Sequence, residues 1–258
     1  MPTPASARYR LLDFGPAPEG GPLADEALLA QAADGPVACL WQAPQGLVVP
    51  RTYAARPGFA EAQAAFAALG WPIHVRQSGG GVVPQGPGIL NVSLARVFTG
   101  RPLDHSDALY QHLCSLIAAA LLFSGIDARA QAVEGSFCDG RYNLAVGTPA
   151  RKVVGTAQLW RRVPASAALA DDHPEPAAGP AAEHQIGLAH ALVLLQCDTP
   201  AATAQANALE IALRNTRRYD ANKVLSLDAC LPPAERAGFP AAFRARLEAI
   251  LRQTSAPI

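Results

Sequence analysis

Three consecutive glycines set between short apolar runs constrain the fold of this chain more than any other feature. Gly79-Gly80-Gly81 follows an apolar run at residues 73–75 and precedes an alternating run at residues 89–94, so the pattern predicts a turn between two strands. Because glycine lacks a Cβ atom, its backbone reaches positive φ and approaches a ligand closely. Its N–H groups would face a phosphate or a carbonyl oxygen, with Arg76 supplying positive charge. A glycine-rich hairpin without a ligand is the alternative.

Length, composition and charge exclude several classes of protein. The chain has 258 residues, half of them hydrophobic and only 16% charged, which is typical of a globular protein with a large core and not of a disordered chain. Lys+Arg and Asp+Glu number 21 each. With no excess of positive charge, nucleic acid is not an expected partner.

No targeting or membrane-spanning segment is expected from the sequence. The longest apolar stretch, residues 113–126, has the length of a buried helix, and the N-terminal residues lack the apolar core of a signal peptide. The cysteines form neither a CxxC pair nor a Cys/His zinc pattern, so we expect reduced thiols, no metal site and a cytoplasmic location. They are Cys39, Cys114, Cys138, Cys197 and Cys230.

A second informative segment lies at residues 135–159. Its pattern predicts a strand at residues 142–146, a tight turn, and a return strand that begins at Lys152. From the start of that strand the Lys152 ammonium group is expected to reach the same cleft as the glycine turn, where it would hold a carbonyl or phosphate oxygen. A solvated hairpin lysine is the alternative.

The glycine segment resembles the signature of the lipoate-protein ligase and octanoyltransferase family, which shares its catalytic domain with biotin protein ligases. That signature runs Arg-Arg-x-Ser/Thr-Gly-Gly-Gly/Arg-x-Val and continues through His-Asp, a glycine and an asparagine into a strand. This chain has Pro-Gln-Gly-Pro at residues 84–87 in place of His-Asp, so the substrate contacts of that loop are not carried over. The positions that match, and that the resemblance implies bind substrate, are Arg76, Ser78, Gly79, Gly80, Gly81, Val83 and Asn91.

The lysine hairpin resembles the same family more strongly. Arg-Lys-Val-Val-Gly-Thr-Ala-Gln at residues 151–158 is similar to the family's Lys-Lys-Ile/Val-x-Gly-Ser-Ala-Gln, in which the second lysine is catalytic. The resemblance implies that Lys152 is that lysine. It also implies that Gly155, Thr156 and Ala157 bind substrate.

Cys138 is the candidate nucleophile. In the octanoyltransferase branch of the family a cysteine in a Cys-x-Asp-like context precedes the hairpin and accepts the acyl chain, and the resemblance places Cys138, followed directly by Asp139, in that role. A thiolate attacks thioesters readily, the acyl-enzyme then passes its chain to an amine without ATP, and a nearby Lys⁺ favours the thiolate. A buried structural thiol is the alternative. The ligase branch has an asparagine-aspartate pair near this place and uses ATP.

A strand expected at residues 186–197 carries the last candidate. It resembles the family's His-Gly-Ser/Thr-Leu-Leu strand, with Ala191 in place of the glycine. His190 either lines the cleft as a substrate-binding residue or is a hydrogen-bonded histidine of the sheet. Residues 163–185, just before it, are rich in Pro, Ala and acidic residues without periodicity, which indicates a long exposed loop.

The elements predict an α+β fold with a mixed or antiparallel central sheet flanked by helices, similar to the biotin/lipoate protein ligase catalytic domain. Residues 37–41 and 46–50 are expected to form a hairpin. An apolar helix is expected at residues 109–123, after a capping region at residues 104–107.

The chain is expected to divide near residue 200. Residues 1–200 would form the catalytic domain and residues 201–258 a helical C-terminal extension packed on it. In that extension the pattern predicts helices at residues 203–219 and 240–253.

The resemblance implies three hypotheses about function. The first is an acyltransferase that takes an octanoyl or lipoyl group from acyl carrier protein onto Cys138 and passes it to a lysine of a lipoyl-domain protein, without a cofactor. The second is an ATP-dependent ligase that activates free lipoate or octanoate as an adenylate, with ATP and Mg as cofactors and Cys138 incidental. The third is a scaffold of the same fold that binds a ligand or carrier protein without catalysis. None of them requires a membrane.

Overall fold

The computed structural model describes residues 7–15, 20–163 and 183–257. Its strands are β1 (Arg10–Leu12), β2 (Val37–Trp41), β3 (Gly46–Pro50), β4 (Ile73–Arg76), β5 (Val83–Gln85), β6 (Ile89–Thr99), β7 (Arg129–Ala130), β8 (Leu144–Val146), β9 (Arg151–Arg162) and β10 (His184–Leu194). Its α-helices are α1 (Leu28–Gln31), α2 (Arg51–Ala54), α3 (Phe59–Ala68), α4 (Pro102–Leu122), α5 (Thr199–Ala212), α6 (Pro233–Arg236) and α7 (Phe239–Gln253).

The central sheet confirms the expected α+β fold. Its strand order is β1-β2-β6-β10-β9-β8-β7, with β1 and β2 parallel and the other neighbouring pairs antiparallel. The two long strands β6 and β10 pair from Ile89 opposite Leu194 to Thr99 opposite His184. Both strands are buried along most of their length, which is typical of a sheet covered on both faces. The strand expected at residues 186–197 is therefore present, beginning and ending slightly earlier.

The hairpin expected from residues 37–41 and 46–50 is wrong. β2 pairs with β6 in the central sheet, whereas β3 belongs to a second, three-stranded sheet of order β4-β3-β5. Every residue of β2 and of β3 is buried. An isolated hairpin would leave one face of each strand in water, so two fully apolar strands are better covered when they lie in different sheets.

The glycine turn connects strands that do not pair with each other. It leads from β4 to β5, and β3 lies between these two strands in the small sheet. The next strand, β6, belongs to the central sheet. The triplet is therefore a crossover loop at the edge between two sheets and not the tip of a hairpin.

The long helix α4 begins earlier than the expected residue 109. Pro102 occupies the first turn, where it needs no N–H partner, and a carboxylate oxygen of Asp104 accepts a hydrogen bond of 3.2 Å from the Arg101 backbone N–H. The predicted capping region thus lies inside the helix. The buried side of α4 carries Leu109, Leu113, Leu116, Ile117, Ala120 and Leu121, at helical spacing, and packs in the main core.

The C-terminal helices are present, although α5 differs from its predicted range. α5 begins at Thr199 and ends at Ala212, because Arg214 takes a left-handed conformation with φ 55° that stops the helix before residue 219. α7 matches its predicted range within one residue, and its face of Phe239, Phe243, Leu247 and Leu251 joins the main core. The division of the chain near residue 200 stays a prediction.

Two further expectations concern the loop at residues 163–185 and the presence of a membrane-spanning helix. Most of the loop expected at residues 163–185 lies outside the described residues. Among the helices of the described ranges, none combines the length and the apolar character that a membrane span requires.

Candidate active site

A cavity lies where the two sheets meet. The empty space between its walls, including the solvent at its open mouth, is about 690 Å³. Strands of both sheets contribute to its wall, together with the segments around residues 22–26 and 137–138. Most of the wall is apolar, and its larger apolar side chains include Leu23, Val48, Val83, Phe137, Leu188 and Leu192.

Lys152 is fully buried at the start of β9 and lines this cavity. Its ammonium group donates hydrogen bonds to the backbone carbonyls of Phe137, at 2.5 Å, and of Cys138, at 2.8 Å. Burial lowers the pKa of Lys152 to about 8, against the opposing charge of Cys138. An ammonium group has three N–H donors, so one remains for a ligand. The structure thus places Lys152 inside the molecule and not in solvent.

Cys138 is half-buried and lines the same cavity as Lys152. Its backbone takes φ 54°, which is rare for a residue other than glycine. Two side chains hold it there, because its carbonyl oxygen accepts hydrogen bonds from Lys152 and, at 2.8 Å, from the Asn143 amide. The other end of the Asn143 amide accepts the backbone N–H of Thr156. Asn143 therefore ties the cysteine segment to β9.

Arg76 is buried and holds the glycine turn together. Its guanidinium group donates hydrogen bonds of 2.8 Å to the carbonyl oxygens of Val48, Gly79 and Gly81. Burial lowers the pKa of Arg76 below the usual arginine value, while the charge of Cys138 acts in the opposite direction. The arginine lines the cavity, but most of its donors already bind the backbone.

The three glycines of the turn occupy different environments. Gly80 has φ 108°, and a Cβ atom there would lie 3.1 Å from the Arg76 Nη2 atom and 3.3 Å from the Cys138 sulfur. Gly81 is packed on its other side, since a Cβ atom would approach Arg217 to 2.6 Å and the Tyr219 hydroxyl to 2.7 Å. At Gly79 a Cβ atom would have no neighbour within 4 Å. Glycine is therefore favoured at Gly80 by its positive φ and at Gly81 by the side chains packed beside it.

Asn91 is buried beneath the cavity and does not line it. Its amide forms a reciprocal pair with the amide of Gln85, with hydrogen bonds of 2.9 and 3.1 Å. Gln85 lines the cavity. The predicted contact of Asn91 with substrate is thus replaced by a contact with a residue of the wall. Gln85 stands in the segment where the family has His-Asp.

His190 lies on β10 and lines the cavity, next to Asp25. Its Nδ1 atom is 3.3 Å from the Asp25 carboxylate and 3.0 Å from the Ser93 hydroxyl, which accepts the Trp41 indole N–H at 3.1 Å. Burial raises the pKa of Asp25 to about 7 and lowers the pKa of His190 to about 3. Both pKa shifts favour the neutral form of each group over an ion pair between them.

The cavity brings together most of the residues predicted from sequence. Those that line it are Lys152, Cys138, Arg76, Ser78, Val83, Gly155, Thr156, Ala157 and His190. Gly79, Gly80, Gly81 and Asn91 do not line it, although Gly80 lies against the Cys138 sulfur.

Among the residues of the site that sequence reasoning missed are Asp25, Gln85, Phe137 and Asn143. Phe137 and Asn143 flank the candidate cysteine, and Gln85 stands in the departure from the family signature, so proximity to a motif was a usable signal for these three. Asp25 lies on an ordinary amphipathic helical segment and gave no such signal.

The chain matches the family model described as Lipoyl protein ligase A/B catalytic domain over residues 23–166. It is 46% identical over 253 residues to an uncharacterized protein of Cupriavidus necator, a match that covers 95% of this chain and 96% of that protein. A shorter match, 44% identical over 92 residues, joins 36% of this chain to 31% of an octanoyl-[GcvH]:protein N-octanoyltransferase of Kyrpidia tusciae.

Two solved structures share the fold. A putative lipoate protein ligase from T. acidophilum superposes with a TM-score of 0.63 at 17% identity, covering 96% of this chain and 85% of that one. Lipoate-protein ligase A bound with ATP superposes with a TM-score of 0.57 at 16% identity, covering 96% and 94%. At these identities the likeness is one of fold.

Proposed function

We propose that this chain, which belongs to the lipoyl protein ligase A/B catalytic domain family, is a protein acyltransferase that moves an octanoyl or lipoyl group onto a lysine of a carrier domain. The observation that carries the proposal is that a half-buried thiol and a buried ammonium group line one apolar cavity. The apolar wall suits an acyl tail, and the thiol is the nucleophile of thioester chemistry.

The reaction has two displacement steps at the acyl carbon. In the first, the Cys138 thiolate attacks the carbonyl of a carrier-protein thioester, a new C–S bond forms, and the carrier leaves as a thiolate that takes up a proton. In the second, the neutral amine of the acceptor lysine attacks the acyl-enzyme. The bond to the Cys138 sulfur breaks, an amide forms, and the amine proton leaves, so no oxidant or nucleotide is consumed.

Lys152 is assigned the role of stabilising the oxyanion that forms at the acyl carbonyl in both steps. Its one uncommitted N–H points to this role, since the other two bind the carbonyls of Phe137 and Cys138. These two hydrogen bonds also link the ammonium group to the backbone of the nucleophile. The positive charge is thereby held beside the sulfur in a region from which water is largely excluded.

The donor and acceptor are both proposed to be carrier proteins. The partial relatives are named octanoyl-[GcvH]:protein N-octanoyltransferases, so their names describe an octanoyl group that passes from one protein to another. For this chain the donor is an acyl carrier protein or another octanoylated carrier, and the acceptor is a lipoyl-domain protein. We assign the reaction to the cytoplasm, where free thiols such as those of this chain stay reduced.

An ATP-dependent lipoate ligase is the second candidate, favoured by the shared fold with lipoate-protein ligase A. In that case Lys152 would hold the phosphate of an acyl-adenylate formed from free lipoate or octanoate, ATP and Mg would be required, and Cys138 would be incidental. Release of pyrophosphate that depends on a free acid would support the ligase. Transfer from a thioester in the absence of ATP would show that the reaction does not require ATP.

Mass spectrometry of the protein after incubation with octanoyl-acyl carrier protein tests the proposal. We expect a thioester adduct on Cys138 and at least a thousandfold lower transfer in Cys138→Ser, since a serine hydroxyl is a far weaker nucleophile. Cys230→Ser, an exposed cysteine outside the cavity, is the matched control and should retain both adduct and transfer. Unchanged transfer in Cys138→Ser would remove Cys138 from the mechanism. The absence of adduct and transfer with every donor would favour a non-catalytic scaffold.

A further inference from the structure

A second pocket lies beside the nucleophile and belongs to neither motif of the sequence. It extends to Gly80, whose backbone lies against the Cys138 sulfur, and continues over the ends of α2 and α5. The pocket is open and mostly polar. Its walls are formed by Thr52, Tyr53, Arg56, Gly80, Glu210, Arg214, Asn215, Thr216 and Arg217.

Three arginines give this pocket its charge. Arg56, Arg214 and Arg217 are exposed, and none of them forms an ion pair with any residue of the described ranges. Some exposed arginines elsewhere do pair, as Arg101 does with Asp104 and Arg129 with Asp127. The three side chains converge on one concavity although they come from distant parts of the sequence.

The one acidic residue of the pocket does not neutralise them. Glu210 is fully buried, and its oxygens accept hydrogen bonds from the hydroxyls of Tyr53 at 2.7 Å and Tyr219 at 2.6 Å and from the Asn215 amide at 2.5 Å. Its acceptor capacity is thus used by neutral donors. Arg217 also contacts the Tyr219 hydroxyl, whereas the guanidinium groups of Arg56 and Arg214 donate no described hydrogen bond. Arginine forks match the geometry of phosphate oxygens.

We propose that Arg56, Arg214 and Arg217 form a phosphate pocket that receives the phosphate group of the activated acyl donor, on the far side of Gly80 from the acyl cavity. The inference rests on the proposed function and names the part of the donor that lies outside the cavity. With the acyl tail in the cavity and the thioester carbon at Cys138, the proposal places the remainder of the donor beyond Gly80, which lies beside the Cys138 sulfur and lines the second pocket. Two donors carry a phosphate: a thioester on a phosphopantetheine arm, and a nucleotide.

Binding measurements test the phosphate pocket independently of turnover. We would measure the affinity of the full-length protein for 4′-phosphopantetheine and for pantetheine, and for AMP and adenosine, by titration calorimetry. The wild type should bind the phosphorylated member of one pair about tenfold or more tightly, as expected for charge-assisted hydrogen bonds. The pair that shows this preference identifies the source of the phosphate. Equal affinities within both pairs would overturn the proposal.

Arg214→Gln and Arg56→Gln are the variants to compare with the wild type. Each should lose most of the preference for phosphate. Their described hydrogen bonds are made by backbone atoms, which the substitutions keep, and the Arg56 guanidinium group lies 5.9 Å from the centre of the Tyr53 ring. Arg217 is a poorer choice because it packs against Gly81. Arg51→Gln is the matched control, since Arg51 is an exposed arginine of α2 that does not line the pocket. An equal loss in Arg51→Gln would show a general charge effect and overturn the assignment.

Octanoyl transfer separates this inference from the proposed function. With octanoyl-phosphopantetheine and octanoyl-pantetheine as donors, the two arginine variants should raise KM about tenfold for the first donor only. Transfer with equal KM for both donors, unchanged in the variants, would leave the acyltransferase standing, and it would reject the pocket unless AMP shows the phosphate preference in the binding measurements. Phosphate-dependent binding without transfer from any thioester would support the pocket and reject the acyltransferase.

Discussion

The acyl cavity and the phosphate pocket meet at Gly80 and use charged side chains in opposite ways. In the cavity, Lys152 and Arg76 are buried, and their donors bind backbone carbonyl oxygens. In the phosphate pocket, Arg56 and Arg214 are exposed and form no ion pair within the described ranges. The cavity therefore has its charges fixed in place by the fold, whereas the pocket has charges that are still hydrated and adjustable.

This difference predicts different consequences of mutation. Removal of a group that is desolvated and hydrogen-bonded in the folded state should change both the reaction rate and the free energy of unfolding. Exposed cations contribute little to folding and act mainly on a charged ligand. Replacing a cation with a neutral side chain should therefore affect transfer and stability in the cavity, but mainly ligand binding in the phosphate pocket.

The largest effect is expected at Lys152. Lys152→Met should lower the transfer rate at least a hundredfold, because it removes the cation beside the acyl carbonyl. The wild-type rate should fall above about pH 8 as the ammonium group loses its proton, and the residual rate of the variant should lack that decline. Steady-state kinetics from pH 6 to pH 10 measure both.

Lys223→Met is the control for this variant, since Lys223 is the other lysine of the chain and lies outside the cavity. It should keep the wild-type rate within about twofold, as expected for a side chain that does not touch the reacting atoms. A rate in Lys152→Met close to that of Lys223→Met would contradict the role given to Lys152.

Gly80, which lines the phosphate pocket and lies beside Cys138 of the cavity, should show the next largest effect. Gly80→Ala forces a side chain into φ 108° and brings its Cβ atom to 3.3 Å from the Cys138 sulfur, so we expect a loss of about 1–3 kcal/mol in the free energy of unfolding together with slower transfer. Gly79→Ala is the matched control, with open space around the new atom. Denaturant unfolding measures the change. Equal stability of the two variants would show that the turn tolerates a side chain at Gly80.

Asp25 and His190 predict a smaller effect that depends on pH. The raised pKa of Asp25, about 7 against 3.8, makes stability fall as pH rises between those values, because the folded state holds the proton that the unfolded state has lost. The lowered pKa of His190, about 3 against 6.5, makes stability rise over nearly the same interval. The two contributions largely cancel between about pH 4 and pH 6.5, since one proton stays with the pair in both states.

Single substitutions should expose each contribution. As pH rises from 4 to 6, the free energy of unfolding of His190→Gln should decrease relative to the wild type, by up to about 1.4 kcal/mol per pH unit. That of Asp25→Asn should increase over the same interval by up to the same amount. Denaturant titrations at half-unit steps of pH measure the slopes. Parallel curves for both variants and the wild type would mean that the pair is ionised in the folded state.

The smallest effect on folding is expected in the phosphate pocket. Arg56→Gln and Arg214→Gln should change the free energy of unfolding by no more than about 0.5 kcal/mol, because both side chains are exposed and unpaired among the described residues. Thermal unfolding without ligand measures this change. A loss comparable to that of Gly80→Ala would show that these arginines are structural, and the contrast between the two sites would fail.

The sequence predicted the parts of the site that depend on local order. The turn at Gly79-Gly80-Gly81 and the hairpin whose return strand begins near Lys152 could be located because glycine clusters and alternating apolar runs have a direct effect on the backbone nearby. The fold class followed from the same runs. In contrast, the partner of each strand was not determined locally, which is why β2 and β3 were wrongly joined as a hairpin.

Tertiary structure alone decided what the side chains do. Asn91 faces Gln85 beneath the cavity, and Asp25 reaches His190 from a distant segment, because the register of β6 and β10 and the position of the first helical segment bring them together. The convergence of Arg56 and Arg214 beside Gly80 arises in the same way. Sequence determined which backbone shapes and which chemical groups were available. Burial and distance, which depend on packing between segments far apart in the chain, determined which groups meet and which of them keep their charge.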